Sequence, residues 1–163
     1  MSAVVSDNKK NLAFLAAKPV IDKSFYYKLQ ENPKKSVFIM NVDLLKFMNI
    51  KEIQDGLIQH MDETIAEVLK HSSVFNIYID VGNFKTKLVS KNAISVIKQL
   101  IKLFQDKYPD TLEKCTIINT PKVFRFLFKI IYLFLDDVTR KKIILVGKNN
   151  EILQTGEFAK TRD

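Results

Sequence analysis

The chain has little of what breaks regular structure. Its 163 residues include four glycines, four prolines, one cysteine and no tryptophan. So few glycines and prolines leave little room for elaborate loops and favour long regular elements. Cys115 stands alone, so no intrachain disulfide forms, which fits a reducing compartment. Its place just before an apolar strand reads as a buried, inert thiol. Neither G-x-G-x-x-G nor G-x-x-x-x-G-K-[ST] occurs, so nothing supports a nucleotide-phosphate loop. A G-x-S-x-G elbow is also missing, and no Ser/His/Asp set stands out. His60 and His71 have no second ligand at metal spacing and read as surface residues. No apolar run approaches the ~20 residues that span a bilayer, and the richest is cut by Arg125 and Lys129. Lys9-Lys10 followed by Leu-Ala-Phe-Leu-Ala-Ala imitates a signal peptide, but its apolar part falls short of the usual ~7–15 residues. These absences predict a soluble, cytoplasmic, non-enzymatic protein.

What is present is a core and a charge. Hydrophobic residues make up 47%, a globular proportion, and 12 phenylalanines with many isoleucines supply the bulk. The length suits one domain with a real core. The net charge of +8 points to an anionic partner: phospholipid head groups, nucleic acid or acidic protein. The lysines are spread along the chain, in pairs at Lys9-Lys10, Lys34-Lys35 and Lys141-Lys142, and form no basic tail. The aromatics sit mainly on periodic apolar faces, which suits a core better than base stacking, so nucleic-acid binding ranks third.

Strand-like and helix-like segments alternate. Residues 1 to about 20 are polar and mixed and read as a mobile arm, and Ser24 to Gln30 as a short helix or strand over the core. A turn at Asn32 to Lys35 precedes a buried strand, Val37 to Met40. Asp43 is placed to cap a short helix, Leu44 to Met48, and Asn49 a longer one with Ile53, Leu57, Met61, Ile65 and Leu69 along one face. Asp62, Glu63 and Glu67 fall on its solvated side, and Gly56 is a weak point near its start. A second strand, Val74 to Val81, ends at Gly82. Asp80 at its end is either a catalytic acid, as often found there in α/β enzymes, or a structural acceptor for loop amides. A loop through Lys85 and Lys87 leads to Ser90, a cap for a helix with Ala93, Ile94, Val96, Ile97, Leu100, Ile101 and Phe104 inward. The fold class is therefore α/β: a layered, largely parallel sheet of at least four strands flanked by helices. Domain limits are read as an arm over 1–35, one domain over 36–158 and a tail over 159–163.

The chain turns on residues 108–147. Thr116-Ile117-Ile118 is a β-branched strand. Thr120 is placed as N-cap and Pro121 at the first helical position. The helix that follows is apolar almost all round. Val123, Phe126, Leu127, Ile130, Ile131, Phe134 and Leu135 make one face, and Phe124, Phe128 and Tyr132 a second row. Lys122, Arg125 and Lys129 share one narrow basic stripe. A surface helix needs only about a 100° apolar arc, so this one is either a central core helix or also the wall of an apolar ligand cavity.

Tyr108-Pro109-Asp110, then Ile117-Ile118-Asn119-Thr120-Pro121, then a Phe-rich helix ending at Leu135-Asp136, then Val138-Thr139-x-x-Lys142-Ile143, together resemble the CRAL-TRIO domain, the lipid-binding fold of phosphatidylinositol transfer proteins. The likeness is clearest over 108–147 and extends more weakly back to about residue 36. It implies a sheet that floors an apolar pocket for lipid acyl chains, with Phe124, Phe126, Phe128, Ile130 and Phe134 as lining residues. It also implies that Asp110 and Lys142 form the pair that meets an inositol phosphate head group, and that Lys122, Arg125 and Lys129 lie at the membrane surface. The alternative for the pair is a turn-capping aspartate and a solvated lysine. Positions that contact choline in some members would fall near Phe75 and Ile77, both apolar, which speaks against phosphatidylcholine exchange. The gating helix of longer members would be reduced to Asn149–Phe158, so the resemblance also allows closure by a membrane or by a second copy. The function expected is binding of an anionic phospholipid, phosphatidylinositol or a phosphoinositide, with peripheral membrane contact and no cofactor beyond the lipid. The second reading is a protein-interaction or dimerisation module on the same fold.

Overall fold

The computed structural model describes residues 2–30, 35–41, 50–82, 91–149 and 152–153. Among these, six strands form one sheet in the order β1-β2-β3-β4-β5-β6. They are β1 (Phe25–Gln30), β2 (Lys35–Asn41), β3 (Phe75–Asp80), β4 (Leu112–Thr120), β5 (Ile143–Gly147) and β6 (Ile152–Leu153). β2 to β5 run parallel, and β1 and β6 join antiparallel at the two edges. The helices are α1 (Ser2–Ser24), α2 (Ile50–Leu69), α3 (Lys91–Lys107), α4 (Lys122–Tyr132) and the short α5 (Asp137–Lys141). The layered, largely parallel sheet expected from the alternation is the fold observed.

The strand order follows the chain order, and parallel crossovers are right-handed. Such crossovers, all stepping the same way, put α2, α3 and α4 on one face of the sheet. Burial agrees. Phe75, Ile77, Cys115, Ile117, Ile143 and Leu145 alternate along β3, β4 and β5, and they join one core cluster with residues of all four long helices. The opposite face carries the register row Tyr26–Ile39–Tyr78–Thr116–Ile144. No helix among the described residues covers this row, and Tyr78 is 44% exposed.

α2 buries the stripe expected of it: Ile53, Leu57, Met61 and Ile65, with Val68. Residues 2–24, read as an arm, form a helix whose Ile21 is fully buried. Gly56 has a reason in that packing. A Cβ there would stand 2.6 Å from the Phe14 ring, so the missing side chain lets α1 approach. His60 also departs from its surface reading: it stands edge-on to Phe25 at 6.5 Å, and burial lowers its pKa. The segment 24–30, read as helix or strand, is the edge strand β1. Of the expected turn at Asn32–Lys35 only Lys35 is described, as the first residue of β2, and the short helix 44–48, the cap Asn49 and the loop with Lys85, Lys87 and Ser90 lie outside the described residues.

Thr120 is not the cap of the Phe-rich helix. β4 runs on to it, and its hydroxyl donates to the Val146 carbonyl at 3.0 Å while the residue is buried. Pro121 is the N-cap residue, with extended backbone and no side-chain acceptor. Within α4 the row Phe124, Phe128 and Tyr132 is buried together with Leu127. Phe126 is 71% exposed, Leu133 59% and Ile130 38%. The helix is thus not buried all round: Leu127 and Leu135 of the larger face join that row in the core, with Val123 and Ile131 packed against it, while Phe126 and Ile130 stay outside.

Candidate functional site

Two elements end at the same place. α3 runs out at Lys107, and Tyr108-Pro109-Asp110 turns the chain into β4. The turn is pinned: Thr111 Oγ1 donates to the Tyr108 carbonyl at 2.7 Å, and the Phe75 amide donates to the Thr111 carbonyl at 2.9 Å. Asp110 has φ of 59°, the left-handed region that aspartate tolerates better than most residues. Close by, α4 gives way to α5. Asp136 caps α5, its carboxylate accepting from the Thr139 amide at 2.7 Å, and its own amide donates to Gln105 Oε1 at 2.9 Å. Lys142 closes α5, donates its amide to the Thr139 carbonyl at 3.0 Å and accepts the Cys115 amide at 2.8 Å.

Between these ends lies a concavity of about 120 Å³, whose lining includes Tyr108, Asp110, Asp136, Thr139 and Lys142. Asp110 and Lys142, proposed as a pair from sequence, therefore share one site. No ion pair within 4.0 Å joins them among the described residues. Hydrogen bonds from Thr139 hold the Asp136 carboxyl below the usual carboxylate range, helped by the Lys142 and Arg140 charges. The volume is below the ~300–1,000 Å³ of sites that enclose drug-sized ligands. It equals a few water molecules at ~30 Å³ each, room for part of a polar group. The available chemistry is one ammonium for a phosphate, two carboxylates that accept from hydroxyls, and hydroxyl groups of Tyr108 and Thr139.

The wall is braced from α2. Asp62 accepts from Lys107 Nζ at 2.7 and 2.9 Å and, through a short hydrogen bond, from the Tyr108 hydroxyl. These bonds, Lys107's first, lower the Asp62 pKa, while burial and the Asp62 bond raise that of Tyr108. Sequence reading put Asp62 on a solvated face, because its partners lie far along the chain. It also gave Asp136 and Thr139 no role, although both stand inside the quoted pattern.

The five residues expected to line an apolar pocket are not brought together. Phe124 and Phe128 are buried with ring centroids 6.3 Å apart, Phe126 and Ile130 are exposed, and Phe134 is half-buried under Lys98. Of the basic stripe, Lys122 and Lys129 are exposed, whereas Arg125 is half-buried with its Nε lacking a hydrogen-bond partner. Asp80 has the structural role: its carboxylate accepts from the Gly82 amide at 2.9 Å and from Asn119 Nδ2 at 3.1 Å. Asn119 is left-handed at φ 56°, where the β4–β5 register breaks. Burial pushes the Cys115 thiol up to about 12. Among the described residues no cluster of three or more His, Cys, Asp or Glu could hold a metal, and no helix is long and apolar enough to cross a membrane.

The CRAL/TRIO domain model matches residues 17–159. The chain belongs to the CRAL/TRIO domain family. Among similar proteins, "Phosphatidylinositol transfer protein SFH5" of Candida glabrata is 30% identical over 133 residues, 76% of this chain and 45% of that protein. "Phosphatidylinositol/phosphatidylcholine transfer protein SFH7" of Arabidopsis thaliana is 29% identical over 118 residues, 72% of this chain and 22% of that one. Clavesin-1 of Rattus norvegicus is 37% identical over 75 residues, 46% of this chain and 21% of its own. A crystal structure of Sfh5 superposes with a TM-score of 0.68 at 19% identity, covering 77% of this chain and 47% of that one, a likeness of fold. This CRAL/TRIO chain spans less than half the length of each of these relatives.

Proposed function

We propose that the protein binds a phospholipid without transforming it, and that the ligand is phosphatidylinositol or a phosphoinositide. The observation that carries this reading is that Asp110 and Lys142, distant in sequence, line one concavity in a CRAL/TRIO fold. Lys142 takes the phosphate, and Asp110 and Asp136 accept hydroxyls of the head group. A head group with hydroxyls suits this site better than choline, whose quaternary ammonium donates no hydrogen bond.

The concavity is too small for acyl chains. The sheet face that no helix covers among the described residues is the surface that suits them, with Ile39 and Ile144 in its register row between Tyr26, Tyr78 and Thr116. Burying a chain stabilises the complex by about 0.8 kcal/mol per methylene, so the apolar part carries affinity and the polar part selects. The relatives named as phosphatidylinositol transfer proteins support this class of ligand. Whether the bound lipid is transferred or sensed depends on exchange between membranes, which vesicle assays measure directly.

The test is uptake of labelled phosphatidylinositol from vesicles by wild type and Lys142→Glu. Reversing that charge is expected to reduce uptake at least tenfold with an unchanged far-UV spectrum and melting temperature. Undiminished uptake removes the head-group assignment. A second reading, a pairing module, draws on the same open face, since exposed Tyr78 could equally meet another protein. It predicts a lipid-free dimer.

A further inference from the structure

Asp62 stands outside the candidate site, on α2, yet it holds the residues that shape one side of it. Its carboxylate accepts from Lys107 Nζ at 2.7 and 2.9 Å and, through a short hydrogen bond, from the Tyr108 hydroxyl. The Asp62 carbonyl lies 3.3 Å from the same hydroxyl. The last residue of α3 and the first of the turn are therefore both tied to α2. Lys107 does not line the concavity, whereas Tyr108 and Asp110 do. From Tyr108 the hold passes along the turn. Thr111 Oγ1 donates to the Tyr108 carbonyl at 2.7 Å, and the Thr111 carbonyl accepts the Phe75 amide at 2.9 Å. Residues 108 and 111 are thus fixed, and Asp110 between them is left-handed at φ 59°. That conformation is unfavourable for a residue with a Cβ and persists only where its surroundings impose it. Among the described residues the Asp110 carboxylate has no side-chain partner, so the backbone of the turn alone decides where it sits.

We propose that Asp62 is a positioning residue for the Asp110–Lys142 concavity, acting through Tyr108 to hold the turn in the conformation that keeps Asp110 at the site. The inference rests on the head-group reading given above and adds to it how the site keeps its shape. The two bonds on the one carboxylate then do different work. The Lys107 bond joins α2 to α3 and serves stability. The Tyr108 bond serves the site. All the lining residues come from the stretch between Phe104 and Lys142, and Asp62 is not among them. A ligand is thus selected partly by a carboxylate that it never meets. A brace with only a structural role would behave otherwise: loss of either bond would lower stability and uptake together.

Uptake of labelled phosphatidylinositol from phosphatidylcholine vesicles by the full chain tests this, with melting curves recorded alongside. Asp62→Leu removes both bonds, and Lys107→Met removes one of them. Both variants are expected to melt below wild type. Asp62→Leu should take up about fivefold less of the labelled lipid, the scale of one net hydrogen bond. Lys107→Met should stay within about twofold of wild type, as for other exposed ion pairs. Because Asp62 acts through Asp110, its effect should shrink in an Asp110→Asn background. There the carboxylate is already gone and the left-handed backbone is still tolerated. Equal loss of uptake in Lys107→Met and Asp62→Leu overturns the proposal, and so does full additivity of Asp62→Leu with Asp110→Asn. Undiminished uptake in Asp62→Leu also overturns it, and if Lys142→Glu still loses uptake the head-group reading stands without it. Undiminished uptake in both Asp62→Leu and Lys142→Glu removes the head-group reading and this inference together.

Discussion

Asp62 is a single carboxylate that ties α2 to the end of α3 and to the turn before β4. Its folded-state pKa is depressed, by the Lys107 bond first and then by the Tyr108 hydroxyl. A depressed carboxylate stabilises the fold above its unfolded pKa, and that contribution is lost as pH falls through the folded pKa. Asp62→Asn is therefore expected to lower the melting temperature by roughly 2–4 °C at neutral pH. The gap from wild type should close as pH is taken below the ordinary aspartate range. Paired thermal melts across pH check this, and a gap that persists in acid would show that packing, not charge, is what the residue supplies. Tyr108 lines the concavity, so under the proposed head-group assignment the same substitution should also weaken lipid uptake. Nothing in the sequence pointed to this brace, because periodicity sees neighbours on one helix and not partners 45 and 46 residues away. The expectation that Asp110 and Lys142 pair rested only on the ordered pattern around them. The left-handed backbone at Asp110 is in itself a reason for aspartate there.

At the scale of elements, α2 and α4 show what a helical pattern can and cannot decide. α2 has one apolar stripe, and the structure buries that stripe. α4 is apolar on nearly every side, so its period leaves open which arc faces the sheet. Of the seven residues on the larger face, Leu127 and Leu135 are buried and Val123 and Ile131 pack against the core beside Phe124, Phe128 and Tyr132, while Phe126 and Ile130 stay outside. Two substitutions separate the faces. Phe128→Ala should cost about 3–5 kcal/mol, as for other buried aromatics. Phe126→Ala should stay within about 0.5 kcal/mol of wild type, as exposed positions do. Denaturant unfolding of both measures the difference, and equal losses would contradict the assigned rotation of α4. Gly56 offers a second check. Gly56→Ala gains about 1 kcal/mol in helix propensity but places a methyl against the Phe14 ring. Hydrogen exchange across α1 should therefore become faster, and unchanged protection would mean that α1 does not need the close approach.

Among the described residues the molecule is a sheet with helices on one side and the row Tyr26–Ile39–Tyr78–Thr116–Ile144 on the other. The alternation of strands and helices makes the layered, largely parallel sheet readable, but the one-sided placement of α2, α3 and α4 follows only once the strand order is known. Less readable was the first part of the chain, whose mixed composition suggests an arm but which forms α1 and packs its Ile21 into the core. The helix-covered face supplies the core, and the proposed lipid site draws on the Asp110–Lys142 concavity and the opposite sheet face. The measurement that tests the central claim most directly is native mass spectrometry of the protein re-isolated from mixed-phospholipid vesicles. The account predicts a monomer carrying one phospholipid at the mass of an inositol lipid, with the adduct lost in Lys142→Glu. A lipid-free mass under the same conditions, monomer or dimer, would contradict it.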